Sequence, residues 1–266
     1  MTDETQLRDS QYKTSKNLMA RAGLHRYSTA RVAWFDWLFD YLLAAELPAD
    51  ARIVDIGGGP GTIWRHVAAR VPNEWQILHT DFSPGMVEEA RKNINRAGSG
   101  FEVVDAERLP YADASFDAVM ANHMLYHVPD RAQAIREFAR VLKPNGRLLA
   151  TTNSARGMSE IVDIITTFNQ FGCGALEPWP TLSFTLEGGS ADLAADFGDI
   201  AVNQFDNVLE VTEAEPLVAY ITSRGGVDDA VRAELRAFVV RMLDKDGMVR
   251  VRPRSGELTA AKKAGL

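Results

Sequence analysis

The apolar positions of the chain follow two different periods. Between residues 31 and 48, RVAWFDWLFDYLLAAELP places Val32, Phe35, Leu38, Phe39 and Leu42 three and four apart. That spacing predicts a buried helix of about four turns, ended at Pro48. The run RIVDI reads as a fully buried strand, followed by a glycine-rich turn and a helix through TIWRHVAARV. WQILHTDF is a second strand, and SPGMVEEARKNINRAG a second helix, with Ser83 as its N-cap and Pro84 at its first position. GFEVVDAE supplies a third strand, and FDAVMANHMLYHV a fourth that opens into a loop. RAQAIREFARVLKPNGRLLATTN adds a helix, a Pro-Asn-Gly turn and a fifth strand. Strand and helix thus alternate over residues 50 to 153, which demands a parallel sheet covered on both faces.

Beyond residue 153 the rhythm breaks. SARGMSEIVDIITTFNQFG predicts a helix, EPWPTLSFTLEGG a loop and SADLAADFGDI a short helix. NQFDNVLEV returns as a strand, and EAEPLVAYITSRG and VDDAVRAELRAFVVRMLDKDG are helices. MVRVR and ELTAAK are expected to pair as a terminal hairpin around PRSG. The expected fold is α/β, with a seven-stranded, mostly parallel sheet whose last strand is antiparallel. Four segments follow: an N-terminal helical cap (1–48), a ligand-binding core (49–153), a substrate-side insertion or lid (154–200) and a stretch completing the sheet (201–266).

Composition narrows the function classes. At 266 residues the chain can bury a large core, and its formal net charge of −7 argues against a nucleic-acid backbone as the main ligand, with VRVRPRSG and KKAGL the best stretches for a local basic patch. The plainer reading of both stretches is solvated surface. Cys173 is the single cysteine, so neither an intrachain disulfide nor a thiolate zinc cluster can form. No stretch of 18 apolar residues and no leader-like opening is present, and the expectation is a cytoplasmic protein without membrane attachment. The five histidines have no metal-ligand spacing, so no metal is expected.

The chemistry concentrates in VDIGGGPGTIW, residues 54 to 64. Gly57, Gly59 and Gly61 let a ligand approach the backbone closely. A P-loop is excluded, because no Gly-Lys-Ser or Gly-Lys-Thr follows. Asp81 ends the second strand 20 residues after Gly61, the placement of a ribose-binding acid. Asp55 lies inside the first strand, where a carboxylate is costly without a partner. A cationic neighbour would satisfy it and a pyrophosphate would be repelled, so the expected ligand is a positively charged ribonucleoside. Asp105 at the end of the third strand completes three strand-end acids.

With these residues the chain resembles the class I S-adenosylmethionine-dependent methyltransferases, in their small-molecule branch often labelled methyltransferase type 11. VDIGGGPG is similar to the family's acid-x-Gly-x-Gly-x-Gly signature, TDFSPGMVEEAR to its second-strand acid and following helix, and VVDAERLPYADASFDAV to its third motif. NHMLYHVPD and RVLKPNGRLLATT complete the likeness, which covers at least residues 50 to 153. One departure is Gly58, where a cysteine or alanine is more usual. The resemblance implies a Rossmann-like fold and S-adenosylmethionine as cofactor, with S-adenosylhomocysteine as product. It implies that the turn supports the methionyl portion, Asp81 the ribose and Asp105 the adenine amine. Ala106 would offer its backbone amide at the ring, Phe82 or Met86 would flank the adenine, and Asn122 stands at the mouth of the fourth strand. Tyr27 and Arg31 are candidates for clasping the cofactor's carboxylate.

On the substrate side, His127 is the expected general base for an attacking hydroxyl or amine, with His25 next. His25, Tyr27 and Trp34 are candidate pocket walls, against ordinary packing of a covering helix; His66 and His79 read as structural. The insertion's Phe168, Phe171, Trp179 and Phe184 suit an apolar or aromatic small molecule. The expected activity is methyl transfer to a small-molecule O, N or C nucleophile in secondary metabolism, with a homodimer allowed. Methylation of RNA or protein, a non-catalytic cofactor-binding scaffold and a non-methylating S-adenosylmethionine-dependent enzyme are the alternatives.

Overall fold

The computed structural model describes residues 21, 23–171, 176–223 and 226–265. The expected N-terminal amphipathic helix lies largely outside the described residues, as does Cys173. After a short 3-10 turn (Gly23–Tyr27) come α1 (Trp34–Ala44), β1 (Arg52–Ile56), α2 (Thr62–His66), β2 (Gln76–Asp81), α3 (Pro84–Asn93) and β3 (Ser99–Val103). Then follow β4 (Phe116–Asn122), α4 (Arg131–Val141), β5 (Leu142–Asn153), α5 (Ser159–Phe171), α6 (Leu186–Leu193) and β6 (Phe197–Gln204). The chain ends with β7 (Leu209–Val211), α7 (Ala214–Thr222), α8 (Asp229–Asp246), β8 (Val249–Val251) and β9 (Ser255–Lys262).

Seven strands form one sheet in the order β3-β2-β1-β4-β5-β9-β6. β1 to β5 pair in parallel, and β9 runs antiparallel between β5 and β6. The architecture is the expected Rossmann-like one. The chain leaves β1 for β2 on one side and returns to β4 on the other, so the crevice of the sheet opens above the C-terminal ends of β1 and β4.

α1 buries Leu38, Phe39 and Leu42 against β1, β2 and β4 through a core shared with Ile53, Ile77 and Met120. Each such side chain contributes about 1.5–3 kcal/mol relative to exposure. The helix is three turns rather than four: Val32 precedes it and is exposed. The opposite face of the sheet packs Val54, Val119, Leu148 and Leu258 against α4 and α6.

Three expectations for the second half are corrected. The sheet strand after the insertion is Phe197–Gln204, part of which reads in sequence as a short helix, and the helix itself is Leu186–Leu193. Of NQFDNVLEV, only Leu209–Val211 is a separate strand, and it lies outside the main sheet. The terminal hairpin does not form, because β8 pairs with β7 in a two-stranded ribbon. Nearly every residue of β9 is buried, as a strand paired on both edges inside a covered sheet requires. A third core cluster joins Leu24 and Ile161, Ile165 and Phe168 of α5 to β7, β8, α7 and α8. It is an accessory layer assembled from segments distant in sequence. Phe168 and Phe184 are therefore core residues, Trp179 stacks on Tyr220 at 5.2 Å, and Phe171 is 80% exposed.

Candidate cofactor and acceptor site

The glycine turn leaves β1 in a conformation that ordinary residues resist. Gly57, Gly59 and Gly61 have φ of 66°, 61° and 73°, in the left-handed region. A side chain at Gly57 would meet Met124 Cβ at 2.8 Å. Gly61 then serves as the N-cap of α2.

Asp81 locks this turn to the end of β2. One carboxylate oxygen accepts from the Gly59 N–H at 3.0 Å and the other from the Ser83 N–H at 2.8 Å. Burial raises its carboxyl above the usual carboxylate range, and these two N–H groups act against that rise. Ser83 is the N-cap of α3, with Pro84 at the helix start, which leaves Asp81 at the crevice rather than in the cap. Phe82 beside it is 38% exposed, whereas Met86 is 1% exposed and packed inward. An adenine at this edge would therefore meet Phe82 directly. Asp105 is exposed and accepts from the Glu107 N–H at 2.9 Å, and Ala106 is buried behind it.

Asp55 is fully buried, and its carboxylate finds its neighbours within the protein. Its Oδ2 accepts from Trp64 Nε1 at 2.7 Å and faces His79 Nδ1 at 3.2 Å, while Oδ1 has no hydrogen-bond partner. Sequence reasoning treats His79 as structural; the structure puts it beneath the glycine turn, with Nε2 2.9 Å from the Gly59 carbonyl.

Above β4 the chain turns sharply at His123, whose φ is 53°. Its N–H is held by Thr151, at 3.1 Å to the carbonyl and 3.0 Å to the hydroxyl. This aims the His123 ring at Trp34, 5.7 Å away, and Trp34 also stacks on Trp37 at 5.3 Å and meets Phe205 edge-on at 5.1 Å. His127 follows in a 3-10 turn, with Tyr126 against its ring at 4.5 Å. Burial pushes both imidazoles down to about 4; His25 and His127 add to this for His123, and Arg21 for His127. Both rings are thus neutral proton acceptors at physiological pH. The exposed His25 and half-buried Tyr27 share the Gly23–Tyr27 turn, where Arg26 donates to the Tyr27 hydroxyl at 2.8 Å and to Glu213 at 3.0 Å. Arg31 is exposed and has no ion pair among the described residues. His66 lies away from this edge, paired with Asp36 at 3.0 Å.

A polar row that sequence reasoning does not single out crosses the sheet beside these rings. Asn122 of β4 lies opposite Thr151 of β5, Thr151 opposite Glu257 of β9, and Glu257 opposite Asn203 of β6. The Asn122 amide nitrogen and Glu257 Oε2 are buried and lack partners. Glu257 is 1% exposed, and burial pushes its carboxyl up to about 8. Of this row the sequence singles out Asn122 alone; the trace of Glu257 is the single acid of SGELTAAK. Among the described residues, no group of three or more His, Cys, Asp or Glu is arranged to hold a metal ion, and no helix is long and apolar enough to cross a membrane.

Residues 54–150 match a family model described as a methyltransferase domain, Methyltransf_11. A ubiquinone/menaquinone biosynthesis C-methyltransferase, UbiE of Desulfotalea psychrophila, is 31% identical over 125 residues, 47% of this chain and 50% of that protein. The 27-O-demethylrifamycin SV methyltransferase of Amycolatopsis mediterranei is 42% identical over 112 residues, 40% of each chain. The chain spans about half the length of the curated relatives it matches. Among solved structures, the [4+2]-cyclase SpnF superposes with a TM-score of 0.61 at 21% identity, covering 99% of this chain and 98% of that one. The YcgJ protein of Bacillus subtilis gives 0.57 at 20% identity, covering 86% and 98%. At these identities the likeness is one of fold.

Proposed function

We propose that this chain, whose residues 54–150 are a methyltransferase domain in a class I S-adenosylmethionine-dependent methyltransferase fold, transfers a methyl group to a small-molecule acceptor. S-adenosylmethionine is the cofactor, and when bound it supplies a methyl group already activated by its sulfonium. The protein's tasks are then to align a nucleophile and exclude water. The residues fit the cofactor: the left-handed glycine turn admits a close ligand, Asp81 stands at the crevice beside exposed Phe82, and Asp55 Oδ1 is buried without a partner. Gly57, Gly59 and Gly61 would line the methionyl end, with Tyr27 and Arg31 at its carboxylate. Asp105 and Ala106 would meet the adenine, and Asn122 closes the crevice at β4.

The observation that carries the acceptor's class is the wall above β4. There His123 meets Trp34, which joins Trp37 and Phe205 in one aromatic cluster, and His127 meets Tyr126 edge-on. Such a mouth suits a partly aromatic or apolar small molecule, and neutral His127 can take the proton of an attacking hydroxyl or amine. His25 is the alternate base. Two curated relatives are named as a C-methyltransferase of ubiquinone/menaquinone biosynthesis and as a 27-O-demethylrifamycin SV methyltransferase, in keeping with a metabolite acceptor. The test splits a host-cell extract into a small-molecule filtrate and a macromolecular retentate. Each is incubated with the protein and methyl-labelled S-adenosylmethionine. Label should enter the filtrate; label only in the retentate would replace this reading with RNA or protein methylation. S-adenosylhomocysteine binding with no transfer to either fraction would replace it with a scaffold or non-methylating role.

A further inference from the structure

Strand register sets Asp55 of β1 directly beside His79 of β2, and both side chains are fully buried. Each ring nitrogen of His79 faces an acceptor: Nδ1 the Asp55 carboxylate at 3.2 Å, Nε2 the Gly59 carbonyl at 2.9 Å. A neutral imidazole has one N–H, so it would press a lone pair against one of these oxygens. Only the imidazolium donates to both. The same Gly59 gives its N–H to Asp81, so one glycine is held at both ends: through its carbonyl to His79 and Asp55, through its amide to Asp81. We infer that His79 is a charged positioning residue of the cofactor site, which as an imidazolium fixes the glycine turn by bridging the Asp55 carboxylate and the Gly59 carbonyl.

The surroundings favour that charge. Burial by itself lowers the His79 pKa, but the Asp55 hydrogen bond and charge, the Gly59 carbonyl and the charge of Asp81 raise it above the ordinary histidine value. Asp55 and Asp81 are the charged groups facing the ring. β3 presents only the Phe101 ring at 6.2 Å, and α2 presents Trp64, whose N–H sits on the same Asp55 oxygen. The space is also reserved: a Cβ on Gly58 would lie 2.3 Å from His79 Cε1 and 2.4 Å from Asp55 Oδ2. Glycine at 58, the departure from the family pattern, is the complement of the His79 ring.

Losing the proton removes one of the two bonds and frees the turn that the cofactor must meet. S-adenosylhomocysteine, the probe, should therefore bind about 10-fold more weakly once His79 is neutral, the scale of one charge-assisted hydrogen bond. The assignment rests on the cofactor reading above, and the experiment separates the two. Nitrogen NMR of the free protein, with the His79 signal identified by its loss in His79→Gln, should show both ring nitrogens protonated well above pH 6.5. By reciprocity, saturating S-adenosylhomocysteine should raise the His79 midpoint by about one pH unit. The ratio of wild-type to His79→Gln affinity should fall toward one as pH rises through that midpoint; the ligand's own titration cancels in the ratio. A ring carrying a single proton at pH 7, an unmoved midpoint on binding, or a pH-independent ratio would overturn the role of His79. The two NMR readouts are made on the unaltered protein, and should His79→Gln fail to fold, the His79 signals are assigned by sequential triple-resonance correlation instead. No binding of S-adenosylhomocysteine at any pH would instead overturn the cofactor reading itself, and this assignment with it.

Discussion

Glu257 is an ionisable group buried inside the sheet, and replacing it should leave a measurable trace. Its carboxyl is 1% exposed, has no hydrogen-bond partner, and is pushed up to about 8 by burial. In the unfolded chain a glutamate titrates near 4.3. Between those values the folded protein holds a proton that the unfolded chain has released, so stability falls as pH rises. The slope is about 1.4 kcal/mol per pH unit, or roughly 4 kcal/mol between pH 5 and pH 8. Glu257→Gln keeps the shape of the protonated acid and removes the titration. His123 and His127 pull the other way below pH 6.5, since their folded values near 4 penalise the native state there. The quantity to read is therefore the difference between variant and wild type from urea unfolding at a series of pH values. It should be about 1 kcal/mol in the variant's favour at pH 5 and grow by about 4 kcal/mol more by pH 8. A difference curve flat to within about 0.5 kcal/mol, the ordinary scale of a neutral surface change, would mean that Glu257 ionises normally and refute the argument.

Asp81→Ala should weaken S-adenosylmethionine binding by about 1.5–3 kcal/mol, the scale of a charge-assisted hydrogen bond. Unchanged calorimetric affinity in the folded variant would remove Asp81 from the site. His127→Asn should lower turnover on an identified hydroxyl or amine acceptor by about 100-fold with cofactor affinity retained. Because burial pushes the His127 ring down to about 4, it imposes no loss of rate between pH 5.5 and 9; a rate within threefold of wild type would reduce His127 to support of the loop. Gly58→Ala should destabilise the protein by about 1–3 kcal/mol through overpacking, because its Cβ would meet His79 Cε1 at 2.3 Å. In a His79→Ala background, itself destabilised by the loss of the Asp55 partner, the added cost of Gly58→Ala in urea unfolding should be smaller, and strictly additive costs would show that the two positions do not share the space.

Periodicity made the first half of the fold legible. Strands buried on both faces and amphipathic helices carry their own signatures in sequence, and β1 to β5 fall where those signatures lie. The second half was harder for a physical reason. β6 is the edge of the sheet, and its pattern of burial mixes exposed and covered positions, so FGDIAVNQ gives no clean period. β7 and β8 have three residues each and exist by pairing with one another, which local sequence does not encode. The aromatic residues of the insertion show the same limit. Phe168 and Phe184 suit a pocket wall by composition, yet one completes the accessory core and the other packs beneath the sheet.

Asp55 shows what such reading can reach. A buried carboxylate needs a partner, and that inference from sequence was sound. Its target was incomplete: the need was assigned to the charge of a ligand, while the fold supplies His79 on the neighbouring strand and Trp64 on the following helix. The partner lies 24 residues away and becomes a neighbour only through the register that sets Asp55 beside His79. Two traces of it were nevertheless present in the chain. A buried histidine follows Ile77 and Leu78 inside β2, where it must find acceptors, and position 58 carries no side chain. Each alone reads as bland. Taken with parallel pairing of β1 and β2, they describe one fit of volume, in which the missing side chain at 58 leaves room for the His79 ring of the strand beneath it.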